Sequence, residues 1–231
     1  MSLRTFTRTF AGGRVARGMA RVNARHPWSH NDHFHPWVLA HLPERRGTAL
    51  DVGCGRGGLL AALAPRFASV VGVDTDPAMR AAARARCAGL PRVRVDDRDW
   101  TEVEGPLDLV TMVAVLHHLD VDAALQHVRD VLAPGGRLLV VGLAPPASVR
   151  DHVWDAASIV TNPLIGLAKH PRVDRSGPQP PSFPVREPTM TYDDLARRVA
   201  TVLPGATMRH RLAFRHTIAW TKPGPAARNI S

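Results

Sequence analysis

The chain has 231 residues, of which 45% are hydrophobic, and it carries a formal net charge of +10 at pH 7. No apolar run approaches the roughly 20 residues of a membrane span, no signal-peptide pattern opens the chain, and two cysteines cannot build a disulfide framework. We therefore expect a cytoplasmic protein with one substantial core and no membrane part.

The positive charge comes almost entirely from arginine, since the sequence has only two lysines. Such a charge attracts anions, including nucleic acid, but GC-rich codon usage also enriches arginine together with alanine, glycine and proline. Residues 1–25 hold six arginines and no acid. This composition fits a transit peptide, a nucleic-acid-binding arm or a solvated arm. We favour the solvated arm, within an N-terminal arm and helical cap spanning residues 1–44.

Residues 26–37 have the most unusual composition, with four histidines and an aspartate within ten residues. Histidine and aspartate are common metal ligands, but no paired Cys/His spacing is present, and Pro27 and Pro36 interrupt any regular ligand face. We therefore predict no metal site. Its composition alone indicates ordinary surface or packing, but the segment also resembles an aromatic/His-Asn segment of a group of bacterial small-molecule methyltransferases, which implies the wall of a binding pocket. A short helix is expected over residues 37–42.

A short apolar run, residues 48–52, contains Asp51 and breaks into a glycine-rich turn with Gly53 and Gly55, followed by an apolar helical pattern. Strand, glycine turn and helix in this order bind nucleotide-like ligands at the carboxyl edge of a parallel sheet. Glycine lets such a ligand lie against the backbone, and Asp51 can accept hydrogen bonds from a ligand amine. The glycine spacing alone also fits a dinucleotide-binding fold, with Asp74 at the required distance.

Two further predicted strands also end in acids. Residues 69–74 close on Asp74, and residues 93–97 close on Asp96 and Asp97. A carboxylate at the end of the second strand can accept hydrogen bonds from both hydroxyls of a ribose. These acids are therefore candidate ligand-binding groups, with solvated loop carboxylates as the alternative.

The fourth predicted strand, residues 107–113, leads into Ala114 and then into His117 and His118. Histidine titrates near neutral pH and can act as a base toward a hydroxyl or an amine. Either ring can instead be satisfied within the fold, so both roles stay open at this point.

The rest of the chain alternates helices and strands. Residues 144–190 differ in composition, with an apolar helical stretch ahead of a proline-rich loop, and such loops are commonly lids or binding loops. We predict helices over 122–132, 153–167 and 191–203, strands over 137–141, 207–214 and 216–221, and a loose tail over 223–231.

Taken together, these segments resemble the class I S-adenosylmethionine (SAM)-dependent methyltransferases over roughly residues 45–222. The glycine turn is similar to their motif I, the Leu-His-His-Leu run to the segment after their fourth strand, and the Pro-Gly-Gly turn to the lead into their fifth strand. The resemblance implies an α/β fold with a Rossmann-like, doubly wound, seven-stranded sheet, mostly parallel with an antiparallel seventh strand. Residues 144–190 would then form a lid or substrate insertion in that domain.

The resemblance also implies roles for individual residues. Asp74 would bind the SAM ribose, Asp97 the adenine amino group (with Asp96 as the alternative, one residue away), and the backbone at Ala114 would line the cofactor. Histidine at a position that aligns best with His117 is catalytic in plant O-methyltransferases. The full sets that we predict are cofactor-binding Asp51, Gly53, Cys54, Gly55, Asp74, Thr75, Asp97 and Ala114, substrate-binding His30, Asn31 and His33, and catalytic His117 and His118.

The resulting hypothesis is SAM-dependent methylation of an O or N of a small molecule, as in natural-product tailoring. An RNA substrate is the first alternative, although no Asn/Asp-Pro-Pro-aromatic tetrapeptide and no Pro-Cys pair follow the fourth strand. An NAD-dependent oxidoreductase and a non-catalytic SAM-binding protein are the others. The acceptor and the oligomeric state are not readable from the sequence.

Overall fold

A computed structural model describes residues 31–169 and 187–224, and these residues contain one seven-stranded sheet with the order β3-β2-β1-β4-β5-β7-β6. The first five strands pair in parallel, whereas β7 pairs antiparallel with both β5 and β6. The predicted fold class is confirmed. The strands are β1 Thr48–Val52, β2 Ser69–Val73, β3 Val93–Asp96, β4 Leu107–Val113, β5 Leu132–Gly142, β6 Thr207–Arg211 and β7 Arg215–Thr221.

The described residues contain six α-helices, one ahead of β1 and the others between strands, and polar side chains cap several of them. The carboxylates of Asp76 and Asp120 accept hydrogen bonds from backbone N–H groups in the first turns of α3 and α4, and the Thr191 hydroxyl does so for α6. The helices are α1 His35–Ala40, α2 Gly58–Leu63, α3 Pro77–Cys87, α4 Val121–Val131, α5 Val149–Lys169 and α6 Tyr192–Val202. Among these described helices, none combines the length and apolarity that crossing a bilayer requires.

The sheet is covered on both faces. Alternate residues of one strand enter different apolar clusters: Val110 and Met112 pack on the side of α4 and α6, whereas Leu109 packs on the side of α1, α2 and α3. Strands buried on both faces read as continuous apolar runs in the sequence. This explains why β1 and β4 were recognisable without any alternation of polar residues.

Several boundaries differ from the predicted ones. β5 begins at Leu132 rather than at 137, because Leu132 pairs with Leu107 before the register shifts past the Pro-Gly-Gly turn. α5 begins at Val149, since Ser148 and Asp151 cap each other reciprocally: the Asp151 N–H donates to Ser148 Oγ (3.1 Å) and the Ser148 N–H donates to Asp151 Oδ2 (2.9 Å). The arginine-rich arm, the proline-rich loop and the tail fall in residues 1–30, 170–186 and 225–231, outside the described residues.

Candidate active site

The glycine turn after β1 is held by the neighbouring strand. The N–H groups of Gly53 and Cys54 both donate to the Val73 carbonyl, at 2.8 and 2.9 Å. Gly53 and Gly55 adopt φ angles of +69° and +52°, which glycine tolerates best. A Cβ on Gly53 would lie 2.2 Å from the Val115 side chain, whereas a Cβ on Gly55 would meet no atom within 4 Å. Gly53 therefore permits close packing, and Gly55 leaves open space against the backbone.

The Asp74 carboxylate fixes this turn to the next helix. Its Oδ2 accepts from the Gly55 N–H (2.8 Å) and its Oδ1 accepts from the Asp76 N–H (2.9 Å). Each carboxylate oxygen can accept a second hydrogen bond, so Asp74 retains capacity for ligand hydroxyls. Thr75, the next residue, is exposed, and its carbonyl accepts from the Arg80 guanidinium at 3.1 Å.

Asp51 is a buried acid at the end of β1, with 2% of its surface exposed. Its Oδ1 accepts a hydrogen bond from Thr111 Oγ1 at 2.6 Å. Burial raises the pKa of Asp51 from 3.8 to about 7; the Thr111 hydrogen bond opposes this rise and the nearby Asp74 charge adds to it. A cationic ligand group beside Asp51 would favour its ionised form, so this carboxyl fits an ammonium group.

The Cys54 side chain packs rather than reacts. Its thiol is buried, and burial followed by the charges of Asp51 and Asp74 raises its pKa, so it stays a neutral thiol at physiological pH. A Cβ on Gly72 of β2 would lie 3.1 Å from the Cys54 Cβ. What Cys54 can offer a cofactor is therefore its backbone.

The two acids at the end of β3 lie in ion pairs. Asp97 is largely exposed and contacts the guanidinium groups of Arg84 (2.5 Å) and Arg80 (2.8 Å), both on α3, and these arginines, Arg84 foremost, hold its pKa below the usual range. Asp96 pairs with Arg98 at 2.8 Å, and chiefly that hydrogen bond lowers its pKa to about 2. Binding of an adenine amino group by Asp97 stays a prediction.

The chain leaves the sheet after β4 in a strained conformation. Ala114 has a φ of +59°, and its N–H donates to the Val141 carbonyl of β5 at 2.7 Å. The left-handed region costs a non-glycine residue about 1 kcal/mol. A 3-10 turn, Leu116–His118, follows at once, with the His117 and His118 ring centroids 4.0 Å apart.

The segment predicted to form a pocket wall lies at the same edge of the sheet. Asn31 Oδ1 accepts from the Arg215 guanidinium at 3.1 Å, and His33 lies edge-on against Phe34, whose ring packs on Val141 at the end of β5. The structure thus brings Asn31 and His33 toward the ends of β5 and β7, whereas His30 lies outside the described residues. The described residues hold no group of three or more His, Cys, Asp or Glu side chains arranged for a metal.

A cavity of about 270 Å³ opens between the 3-10 turn after β4, the end of β5, residues 188–190 and α6. His117 lines it, whereas His118 does not. Residues 188–190 are the last residues of the predicted insertion, 144–190, so the C-terminal end of that insertion borders the cavity. The lining includes His117, Gly142, Met190, Leu195, Arg198 and His216.

His216 was missed by the sequence reasoning. Burial, then the charges of His210, Arg215 and His117, lower the pKa of His216 from 6.5 to about 3, so its ring is neutral at physiological pH. The sequence held a usable signal for His216. The seventh strand was predicted to be antiparallel, so its first residues had to lie at the carboxyl end of the parallel strand beside it, where the site was expected.

The chain matches known proteins over most of its length. The sequence profile of a family described as "Methyltransferase domain" matches residues 50–138. An uncharacterized methyltransferase of Mycobacterium tuberculosis is 34% identical over 201 residues, which are 85% of this chain and 98% of that protein.

The chain belongs to the class I SAM-dependent methyltransferases. A trans-aconitate 2-methyltransferase of Methylobacterium radiotolerans is 36% identical over 182 residues, covering 76% of this chain and 67% of that protein. Among solved structures, a SAM-dependent methyltransferase from Aquifex aeolicus shares the fold with a TM-score of 0.54 at 15% identity, over 81% of this chain and 89% of that one. SAM is the cofactor of this family, and the methyltransferase relatives contradict the NAD-dependent alternative.

Proposed function

We propose that this methyltransferase transfers the methyl group of SAM to an O or N atom of a small molecule, as in natural-product tailoring. The cavity beside His117 is the observation that carries this proposal. Its volume of about 270 Å³ lies just below the range of roughly 300–1,000 Å³ of pockets for drug-sized ligands. A compact acceptor fits this volume.

The edge around the glycine turn fits SAM. Asp51 is the candidate partner of the amino group, Asp74 of the ribose hydroxyls and Asp97 of the adenine amino group. The open space at Gly55 can take a ligand against the backbone. We assign main-chain contacts with SAM to Gly53, Cys54, Thr75 and Ala114. When bound, SAM would supply a methyl group on a sulfonium; the acceptor oxygen or nitrogen would bond to the methyl carbon as the carbon–sulfur bond breaks, with S-adenosylhomocysteine as the leaving group. The protein then contributes mainly by aligning the acceptor and excluding water.

His117 is the candidate base. Its ring lines the cavity, where it can take the proton of a hydroxyl as the new bond forms, or that of an ammonium group before the free amine attacks. His118 contacts the His117 ring and is the second candidate. Asn31 and His33 are candidate contacts of the acceptor, and we include His30 in that set from its sequence position.

A carboxylate is a second candidate acceptor, because one relative is named for methylation of trans-aconitate. A carboxylate has already lost its proton at neutral pH. Methylation of a carboxylate therefore needs no base. His117 would act as a base only if the acceptor is a hydroxyl or an amine.

Calorimetric titration and an acceptor screen test the proposed function. We expect SAM and S-adenosylhomocysteine to bind and NAD to show no heat of binding. The screen measures S-adenosylhomocysteine release with small alcohols, phenols, amines and carboxylates, and with total RNA as a separate arm. Turnover with RNA and with none of the small molecules would contradict the proposal. Cofactor binding without turnover in any arm would instead support the non-catalytic alternative.

Substitution of the two histidines tests the base. With an acceptor that carries a proton, His117→Gln lowers kcat by roughly 10²–10⁴ and leaves SAM affinity unchanged, because general-base catalysis supplies about that factor. His127→Gln is the matched control, since His127 packs against Trp100 and does not line the cavity. If neither His117→Gln nor His118→Gln lowers kcat more than about tenfold, a dominant base is absent.

A further inference from the structure

His216 occupies a position from which it can touch the acceptor. It follows the first residue of β7, and because β7 runs antiparallel to β5, His216 pairs with Gly142, the last residue of β5. Both residues line the cavity. His216 is 2% exposed, and within the part of the chain that the structure describes its Nε2 has no hydrogen-bond partner.

The imidazole takes the space that a side chain on Gly142 would fill. A Cβ on Gly142 would lie 2.2 Å from His216 Nε2. The ring also meets the Tyr192 ring edge-on at a centroid distance of 5.9 Å, and Tyr192 in turn stacks on His210 at 3.7 Å. His210 lies 3.5 Å from the buried Asp151 carboxylate. Packing therefore fixes the orientation of the His216 ring at the cavity wall.

A buried polar atom without a partner is unfavourable, and native proteins rarely keep one without a reason. In either tautomer of a neutral imidazole, Nε2 can bind a hydroxyl group, which both donates and accepts. It offers no positive charge to a carboxylate, because the ring stays neutral at physiological pH.

The other charges at the cavity also disfavour an anion. Among the described lining residues the one arginine is Arg198, which is ion-paired with Asp122, and Asp120 adds a second acid. Leu195 and Met190 supply apolar surface. The cavity thus combines an apolar wall, a net negative rim and one buried neutral polar atom.

We propose that His216 Nε2 binds the hydroxyl group of a small, neutral, largely apolar alcohol or phenol that serves as the methyl acceptor. This assignment rests on the proposed function, because it places the acceptor in the cavity beside His117. His216 positions the acceptor, and proton transfer is left to His117.

The test measures binding to the complex with S-adenosylhomocysteine, so that it is independent of turnover. Phenol, toluene and benzoate serve as probes of similar size that carry a hydroxyl, a methyl and a carboxylate group. We expect phenol to bind roughly tenfold more tightly than toluene, which is the effect of one hydrogen bond to a buried partner, and benzoate to bind no better than toluene. Phenol should also shift the ¹³C resonance of the His216 ring in histidine-labelled protein.

Variants of His216 assign the effect. His216→Phe keeps an aromatic ring but removes both nitrogens, so it should bring phenol and toluene to within about twofold of each other, while His127→Phe leaves the tenfold preference intact. His216→Gln, which keeps a donor and an acceptor, should restore part of the preference and serves if the Phe variant does not fold. The proposal is overturned if His216→Phe or His216→Gln leaves the preference for phenol unchanged, or if benzoate binds most tightly of the three probes. It is also overturned if S-adenosylhomocysteine binds but none of the probes does. Failure of the proposed function is seen separately, as an acceptor screen without small-molecule turnover.

Discussion

The two halves of the site are built in different ways. In the proposed cofactor half, the glycine turn and the start of α3 are joined within a short stretch of chain, because the N–H groups of Gly55 and Asp76 both donate to the Asp74 carboxylate. The proposed acceptor half is a cavity lined by side chains that lie far apart in the sequence, such as those of His117 and His216. Local turn geometry therefore fixes the first half, and strand pairing fixes the second.

The pKa shifts of the buried groups in the two halves, Asp51 and His216, make stability depend on pH in opposite directions. Asp51 has a higher pKa in the folded protein than its usual 3.8, so the folded state holds the extra proton, and the stability this contributes is present below about pH 4 and lost as the pH rises toward 7. His216 has a lower pKa than its usual 6.5, so its contribution is present above about pH 6.5 and lost as the pH falls toward 3. Between pH 4 and 6.5 the two contributions offset each other.

The largest expected effect comes from removing one of these two groups. One pKa unit equals about 1.4 kcal/mol. As the pH rises from 4 to 6.5, the unfolding free energy of Asp51→Asn should therefore rise by roughly 3 kcal/mol relative to that of the wild type, and the unfolding free energy of His216→Phe should fall by roughly the same amount. Urea unfolding of the ligand-free protein at several pH values measures both. In the double variant, the unfolding free energy should depend on pH in the same way as in the wild type. If it also does so in the two single variants, Asp51 and His216 do not have opposite effects on stability.

A pair of glycine substitutions sharpens the comparison on the cofactor side. Gly55 and Gly89 both have positive φ angles, and a Cβ on either meets no atom within 4 Å, so Ala causes similar backbone strain at both. Gly55→Ala should also weaken SAM binding roughly 30-fold, because an extra methyl in a fitted contact costs about 2 kcal/mol. Calorimetry with SAM and thermal unfolding separate the two effects. Equal SAM affinity in both variants would show that the space at Gly55 is not the cofactor site.

The smallest effect concerns the acids after β3. Asp97→Asn should weaken SAM binding about fivefold, which is the loss of one hydrogen bond, and should leave the unfolding midpoint unchanged, because exposed ion pairs contribute little. Asp96→Asn is the matched control, one residue away. The reverse order of the two dissociation constants would assign the adenine contact to Asp96 instead.

The sequence was sufficient for the parts of the molecule that are determined locally. β1 and β4 were predicted as apolar runs, and the glycine turn was predicted from a residue type with defined backbone preferences. The family comparison confirms the cofactor that this pattern indicated. Each of these predictions depends on residues that are close neighbours in the chain.

The acceptor side could not be predicted in the same way. His216 reads as an ordinary strand residue until its pairing with Gly142 places it at the cavity. The missed start of α5 is a different case, because the reciprocal bonds of Ser148 and Asp151 that cap it join residues only three positions apart. Cys54 shows the converse: its place in the motif was predicted, but only packing shows that its thiol is buried.

The turn between β6 and β7 has a consequence for how relatives diverge. Ala213 and Phe214 both adopt left-handed φ angles that non-glycine residues seldom occupy, and the Phe214 N–H donates to Ser158 Oγ of α5 at 3.2 Å. We expect substitutions in this hairpin to shift the start of β7, and with it His216, while the glycine turn after β1 is unaffected. The proposed acceptor contact at His216 can therefore change by substitution in this hairpin, without any change in the proposed donor-binding turn.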